Sequence, residues 1–386
     1  MRVFLIAGEP SGDRLGGALM AGLRTLLDDG LHFEGVGGPQ MAAHGLHSLF
    51  PMEELSVMGL AEILPKYFEL KRRIAQTAEA VIAAKPDVLI TIDSPDFCLR
   101  VARLVKARSD IRTVHYVAPT VWAWRPGRAR KMARVIDQAL ALFPFEPPYM
   151  QAAGMECDFV GHPVVAETVP SQADAAAFRA QYGLGDAPLM LVLPGSRRGE
   201  VGRLAAPFGD ALRLFMADRP EWRIVVPAAA PVVDLVQEAA RNWPGAPILI
   251  DPREMRAEDA AQAKRGAFAA AEIALAASGT VSLELAAART PMVIAYRFNT
   301  LTWHIIKRMM RVDTATLVNL VSDTRVVPER FGPECRGDLI DQALRAVIAD
   351  PEAQEAAMAL TMDRLGLGGE APGLRAARAV LDGLAQ

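Results

Sequence analysis

Two turns in this sequence combine residue types that handle phosphate. Ile273 to Ala277 is a short apolar run, Ser278-Gly279-Thr280 breaks it, and helix-forming residues follow from Val281 to Arg289-Thr290-Pro291. That order reads as a buried strand, a tight turn and a helix. Such a turn aims unpaired backbone N–H groups at one spot, with the positive end of the helix dipole behind them. Ser278 is expected to cap the helix, and Gly279 lets the backbone approach a ligand. Glu284 falls among Val281, Leu285 and Ala288, the expected apolar stripe, where a carboxylate is costly unless paired. It reads in two ways: as an acceptor for two neighbouring hydroxyls, such as those of a nucleotide ribose, or as a carboxylate at the stripe's edge reaching solvent or a structural arginine. The second turn, Pro194-Gly-Ser-Arg-Arg-Gly-Glu200, follows the apolar run Leu189–Leu193. It can offer backbone N–H groups and the Arg197 guanidinium to a phosphate.

Carboxylates end two strands of the first half. Val3–Ala7 opens into Gly8-Glu-Pro-Ser-Gly-Asp13 and a helix near Leu15–Leu27, which places Glu9 and Ser11 at a strand's carboxyl end. The loop lacks the G-x-G-x-x-G dinucleotide fingerprint, which disfavours a nicotinamide cofactor. Val88–Ile92 ends at Asp93-Ser94-Pro95-Asp96. Ser94 as cap, Pro95 at the first helical position and Asp96 in the first turn have a complete structural explanation. Asp93 has none. His162 and His304 are isolated, and no dense His, Cys or carboxylate cluster suggests a metal.

The elements that must position these residues alternate strand and helix through both halves, which is the pattern of parallel sheets covered by helices. At 386 residues the chain is too long for one ordinary core. Residues 1–165 are expected to form one Rossmann-like domain, 173–350 a second, and 351–386 a tail of helices packing back on the first, with a linker near Gly161-His162-Pro163. Hydrophobic residues make up 51% and charged residues 23%, the balance of a soluble globular protein. Lys plus Arg (42) nearly equals Asp plus Glu (45), which argues against nucleic acid as a partner. Three separated cysteines suggest a reducing cytoplasm, and the initial strand leaves no room for a signal peptide. No apolar run reaches the roughly 18–20 residues of a membrane-spanning helix. Two stretches, Met52–Phe68 followed by Lys71-Arg72-Arg73, and Thr302–Arg311, read either as helices covering the sheet or as greasy, basic-edged surfaces for acyl chains. Trp122 and Trp124, with Arg125 beside them, read either as a binding surface or as plugs of the domain edge.

An ordered set of stretches resembles lipid-A-disaccharide synthase. They are Gly8-Glu-Pro-Ser-Gly-Asp13, Ile92-Asp-Ser-Pro-Asp-Phe97, Val121-Trp-Ala-Trp-Arg125, Phe143-Pro-Phe-Glu146, Phe159-Val-Gly-His-Pro163, Leu193-Pro-Gly-Ser-Arg197, and Ser278-Gly-Thr280 with Glu284. Each is weak alone, but together they cover most of the chain in that family's order. The resemblance implies two doubly wound domains facing a cleft, the B-type glycosyltransferase fold. It implies an inverting transfer from UDP-2,3-diacylglucosamine to 2,3-diacylglucosamine 1-phosphate, with no cofactor, at the inner face of the cytoplasmic membrane. Arg197 and Ser278–Thr280 would hold the diphosphate and Glu284 the ribose. Asp93 would face the acceptor, with Glu9 and Ser11 close by, and Asn319 falls on a family motif position. The chain has Leu317-Val318-Asn319 where the family usually has Leu-Pro-Asn, and Cys98 replaces a frequent Asn.

Inversion needs a base for the acceptor's 6-hydroxyl, and Asp93 is favoured over Asp96 because helix capping explains Asp96. Two other readings compete. One is a different UDP-sugar transferase or an epimerase of the same fold; the other is a dinucleotide-dependent oxidoreductase. A homodimer is left open.

Overall fold

The computed structural model describes residues 1–27, 30–55, 60–123, 127–298, 303 and 308–385, and for 60–67 the backbone alone. The chain forms two compact units, one of Met1–Ala166 with Leu365–Gln386 and the other of Glu167–Arg364.

The first unit holds strands β1 (Arg2–Ala7), β2 (His32–Val36), β3 (His47–Ser48), β4 (Val88–Ile92), β5 (Arg112–Tyr116), β6 (Gln138–Ala141) and β7 (Glu156–Phe159). They pair in parallel in the order β3-β2-β1-β4-β5-β6-β7. The second holds β8 (Leu189–Leu193), β9 (Arg223–Pro227), β10 (Ile248–Ile250), β11 (Ile273–Ala277), β12 (Met292–Tyr296) and β13 (Glu329–Phe331). Their order is β10-β9-β8-β11-β12-β13, again parallel. Strands β4, β8 and β11 are buried at every residue. Helices cover both faces of a parallel sheet, so such strands read as near-continuous apolar runs, as these do, with Thr91 of β4 the one polar residue among them. Strands β3 and β13 are two and three residues long and carry no such run.

In each sheet the strand order reverses once, between β1 and β4 in the first and between β8 and β11 in the second. At such a point the crossovers leave to opposite faces and the loops at the strands' carboxyl ends part, opening a crevice for ligand. Every phosphate-handling turn and strand-end carboxylate singled out above follows β1, β4, β8 or β11.

The expected single tail of 351–386 divides at Leu365. Helix Glu352–Leu365 belongs with the second unit, where Gln354 exchanges hydrogen bonds with Met292 (2.9 and 3.0 Å) and Arg364 donates to the Val321 carbonyl (2.7 Å). Helix Pro372–Leu384 packs on helix Pro10–Leu26 of the first unit. The contact is close because glycines face it. A Cβ on Gly22 would lie 2.6 Å from the Gly373 carbonyl oxygen, and one on Gly373 would lie 2.5 Å from that of Ala18.

Candidate functional site

In the first unit, the loops after β1 and β4 are neighbours, because Ala7 and Ile92 are register partners at the strand ends. Gly8 is buried where these loops touch, and a Cβ there would stand 2.6 Å from the Ser94 hydroxyl oxygen. Glu9 is the extended residue before helix Pro10–Leu26, half-buried, and Ser11 is exposed in the first turn. Asp13, in the same loop motif, is 2% exposed and accepts the N–H groups of Gly38, Gln40 and Met41 at 2.8–3.0 Å. It closes the start of the short helix Pro39–Ala43 and so holds the loop from beneath.

The end of β4 is strained. Asp93 (φ 52°) and Ser94 (φ 43°) are consecutive left-handed residues, and Val117 (φ 83°) ends the adjacent β5. Non-glycine residues in this region cost free energy, most of all a β-branched one, and persist only where the surroundings enforce them. Here the ladder does so: the Asp93 N–H donates to the Tyr116 carbonyl and the Val117 N–H to that of Leu140, both at 3.0 Å. Ser94 stands before helix Pro95–Lys106, but its side chain makes no capping bond, against expectation, because the left-handed turn carries its hydroxyl toward Gly8. The Asp93 carboxylate is half-buried and meets no hydrogen-bond donor among the described residues. Asp96, one turn later, is exposed.

Trp122 is a plug. It is 7% exposed, packs edge-on against Phe145 and donates its indole N–H to Glu146 at 3.2 Å. Trp124, Arg125, His304 and Lys307 lie outside the described residues. So do Met58 and the side chains of Leu60, Ile63, Leu64 and Lys66, on which the acyl-contact expectation chiefly rests.

In the second unit, the loops after β8 and β11 wall a cavity of about 450 Å³. Arg197, Ser278, Gly279, Thr280 and Glu284 line it, together with Glu200, Lys264, Phe268, Pro227, Ala228, Ile250 and Pro252. One side is therefore polar and charged, the other apolar.

Three local expectations are corrected here. First, the Gly195-Ser196-Arg197 turn does not present its N–H groups to the cavity. Glu200, 6% exposed, accepts those of Ser196 (3.1 Å) and Arg197 (3.3 Å), and its other oxygen accepts from the Arg197 guanidinium (2.9 Å). Gly195, at φ 110°, is needed for this, since a Cβ would stand 2.6 Å from the Glu200 carboxylate. Arg197 still has a side chain 65% exposed, so its remaining donors reach solvent. Second, Ser278 is not the cap of helix Val281–Ala287: Thr280 holds that position, without a side-chain bond. Third, the buried face of that helix is Ser282, Leu283, Leu285 and Ala286, not the stripe through Glu284. Seven residues make too little helix for periodicity to fix which face the sheet takes. Val281 and Glu284 face the cavity instead.

The N–H groups of Gly279 and Thr280 meet no acceptor among the described residues, and they stand on the cavity wall. Glu284 is paired with Lys264 of helix Ala257–Ala270, a residue the sequence reading passed over. Nothing in sequence spacing marks that lysine, which comes twenty residues earlier and meets Glu284 only through packing. Asn319 is not among the lining residues. It is 1% exposed, donating to Thr314 (3.2 Å) and the Val327 carbonyl (3.0 Å) and accepting the Val327 N–H (3.0 Å). No group of three or more His, Cys, Asp or Glu able to hold a metal ion occurs among the described residues.

The chain matches the family model described as Lipid-A-disaccharide synthetase over residues 3–379. A protein of Ruegeria pomeroyi named lipid-A-disaccharide synthase is 68% identical over 384 residues, covering 100% of this chain and 96% of that one. One of the same name from Rhodospirillum centenum is 48% identical over 385 residues, covering 98% and 94%. Among solved structures, the UDP-GlcNAc 2-epimerase of Neisseria meningitidis bound to UDP-GlcNAc aligns with a TM-score of 0.65 at 12% identity, covering 100% of both chains. At that identity the likeness concerns the fold.

Proposed function

The chain belongs to the lipid-A-disaccharide synthase family, and from that premise we propose how its residues divide the work of the transfer. The protein is a glycosyltransferase that forms the lipid A disaccharide, and its substrates are lipid-linked sugars. The donor is UDP-2,3-diacylglucosamine and the acceptor 2,3-diacylglucosamine 1-phosphate. An α-linked donor giving a β-1′,6 bond requires a single in-line displacement. The acceptor's 6-oxygen bonds to the anomeric carbon, the bond from that carbon to the UDP oxygen breaks, and the hydroxyl proton passes to a base.

In this reading the second unit binds the donor. The observation that carries it is the cavity at the β8/β11 reversal, with one wall of free N–H groups and Arg197 and another of apolar side chains. Gly279, Thr280 and Arg197 stabilise charge on the departing diphosphate, with Ser278 beside them. Glu284 accepts from the ribose hydroxyls. Glu200 holds Arg197, and Asn319 braces the segment that leads into β13 rather than touching the nucleotide. The first unit supplies the base. Asp93 takes the proton, at the reversal point of its sheet and in the strained conformation typical of working residues. Glu9, Ser11 and Asp96 flank it on the same edge and orient the acceptor.

The enzyme works at the inner face of the cytoplasmic membrane, bound from the surface. No helix among the described residues is long and apolar enough to cross a membrane. Phe68, 81% exposed, and the exposed Arg72 support contact with lipid, whereas Arg73 is tied to Glu54 at 2.7 Å.

The test is the product. Full-length protein given the diacylglucosamine donor and acceptor is expected to release UDP and form the β-linked disaccharide 1-phosphate. UDP release that does not require the acceptor, or interconversion of the donor sugar alone, overturns this reading in favour of hydrolysis or epimerisation.

A further inference from the structure

Among the described residues, Lys264 is the one cavity cation that the proposed transfer leaves without a task. Its Nζ donates to Glu284 Oε2 and stands 5.4 Å from the centre of the Phe268 ring. Glu284 Oε1 meets no donor among the described residues. The pair is not a strut of the fold. The side chains are 46% and 31% exposed, and pairs this open stabilise little.

Position along the helix separates Lys264 from the phosphate-binding wall. Glu284 stands four residues beyond Thr280, about 6 Å of helical rise past the free N–H groups. That offset is close to the span from a nucleotide's 5′-phosphate to the hydroxyl edge of its ribose. Lys264 engages Glu284 from the side of Phe268, and Phe268 is part of the cavity's apolar lining. A nucleoside diphosphate lying along this wall would have its phosphates at Gly279 and Thr280, its ribose at Glu284, and Lys264 behind the carboxylate.

We propose that Lys264 is a positioning residue for nucleotide recognition: it holds one oxygen of Glu284 so that the other is presented to the vicinal hydroxyls of the ribose. The inference rests on the donor reading above. A carboxylate with one oxygen fixed has lost its rotational freedom before the ligand arrives, so less remains to be ordered on binding.

Calorimetry on the full chain tests this with uridine, UMP, UDP and 2′-deoxy-UDP, using Lys264→Met, Glu284→Gln and the double variant. Lys264→Met is expected to weaken UDP, UMP and uridine by the same factor, roughly tenfold, the order of one hydrogen bond to a charged group. It should also narrow the preference for UDP over 2′-deoxy-UDP and cost nothing further once Glu284 is Gln. The thermal midpoint should stay put. A loss that grows from uridine to UDP and persists beside Glu284→Gln would make Lys264 a direct phosphate ligand and overturn the proposal. A loss for Glu284→Gln with none for Lys264→Met overturns the positioning role alone. Unchanged UDP affinity in Glu284→Gln removes the ribose reading and this inference with it.

Discussion

At the scale of single residues, Asp93 is where backbone and chemistry meet. Its left-handed conformation is one that Asp and Asn adopt more readily than most residues, because a short polar side chain can compensate locally. Asp93→Asn therefore keeps the strained turn and removes only the charge. UDP affinity is expected to stay near normal while kcat falls by about 10²–10⁴-fold, the usual worth of a general base. Single-turnover kinetics on folded protein would show it. Near-full turnover in Asp93→Asn, with activity abolished in Asp96→Asn, would move the role to Asp96. Glu200 illustrates the opposite case. Placed beside a phosphate-like turn, it has three donors of its own loop as partners, and that accounts for a buried carboxylate without any ligand.

At the scale of elements, the docking of helix Pro372–Leu384 decides where the chain's end belongs. Its contact with helix Pro10–Leu26 depends on Gly22 and Gly373, whose added Cβ atoms would fall within 2.6 Å of backbone carbonyl oxygens. Backbone cannot yield as a side chain can, so Gly373→Val must separate the helices. The expected cost is about 1–3 kcal/mol in urea unfolding, with new proteolytic cleavage between Leu365 and Pro372. Gly202→Ala is the matched control. It lies in helix Arg198–Met216 with nothing near its Cβ position, and is expected to be neutral or to stabilise by roughly 0.5–1 kcal/mol. Equal effects of the two changes would deny the glycine contact its role.

At the scale of the whole molecule, stability responds to pH through groups buried in the first unit. Glu146 accepts the Trp122 indole N–H and the N–H groups of Leu142 and Phe143, yet burial raises its carboxyl from 4.5 to about 7. Between those values the native state holds a proton that the unfolded chain has released. Its contribution to stability is therefore full below pH 4.5 and falls as pH rises through 7. His115 and His162 act in the other sense. Burial lowers both from 6.5 to about 4, so the unfolded chain gains protons first and stability is lost as pH falls through that window. Glu146→Gln removes the first effect and leaves the second. Relative to the natural protein it should gain roughly 2–3 kcal/mol between pH 5 and pH 8, measured by urea unfolding, as a shift of that size requires. A difference independent of pH would mean that Glu146 keeps its ordinary carboxyl behaviour.

What the sequence determined by itself was whatever depends on neighbours along the chain. The apolar runs at Val3–Ala7, Val88–Ile92, Leu189–Leu193 and Ile273–Ala277 identify strands, and the turns that follow them mark the carboxyl edges where Asp93, Arg197 and Gly279 stand. A parallel sheet buried on both faces makes such runs legible without coordinates. The family, too, was legible, because its short stretches keep their order. Tertiary structure alone decided the rest. It turned Glu284 to the cavity, since a seven-residue helix shows too little periodicity to reveal its buried side. It gave Glu200 the N–H groups expected for phosphate and brought Lys264 to Glu284. It also divided the tail at Leu365 between two units. Apart from the turn around Glu200, whose donors stand three and four residues away, each of these depends on packing between segments far apart in the chain, and residue order carries no direct record of which faces meet.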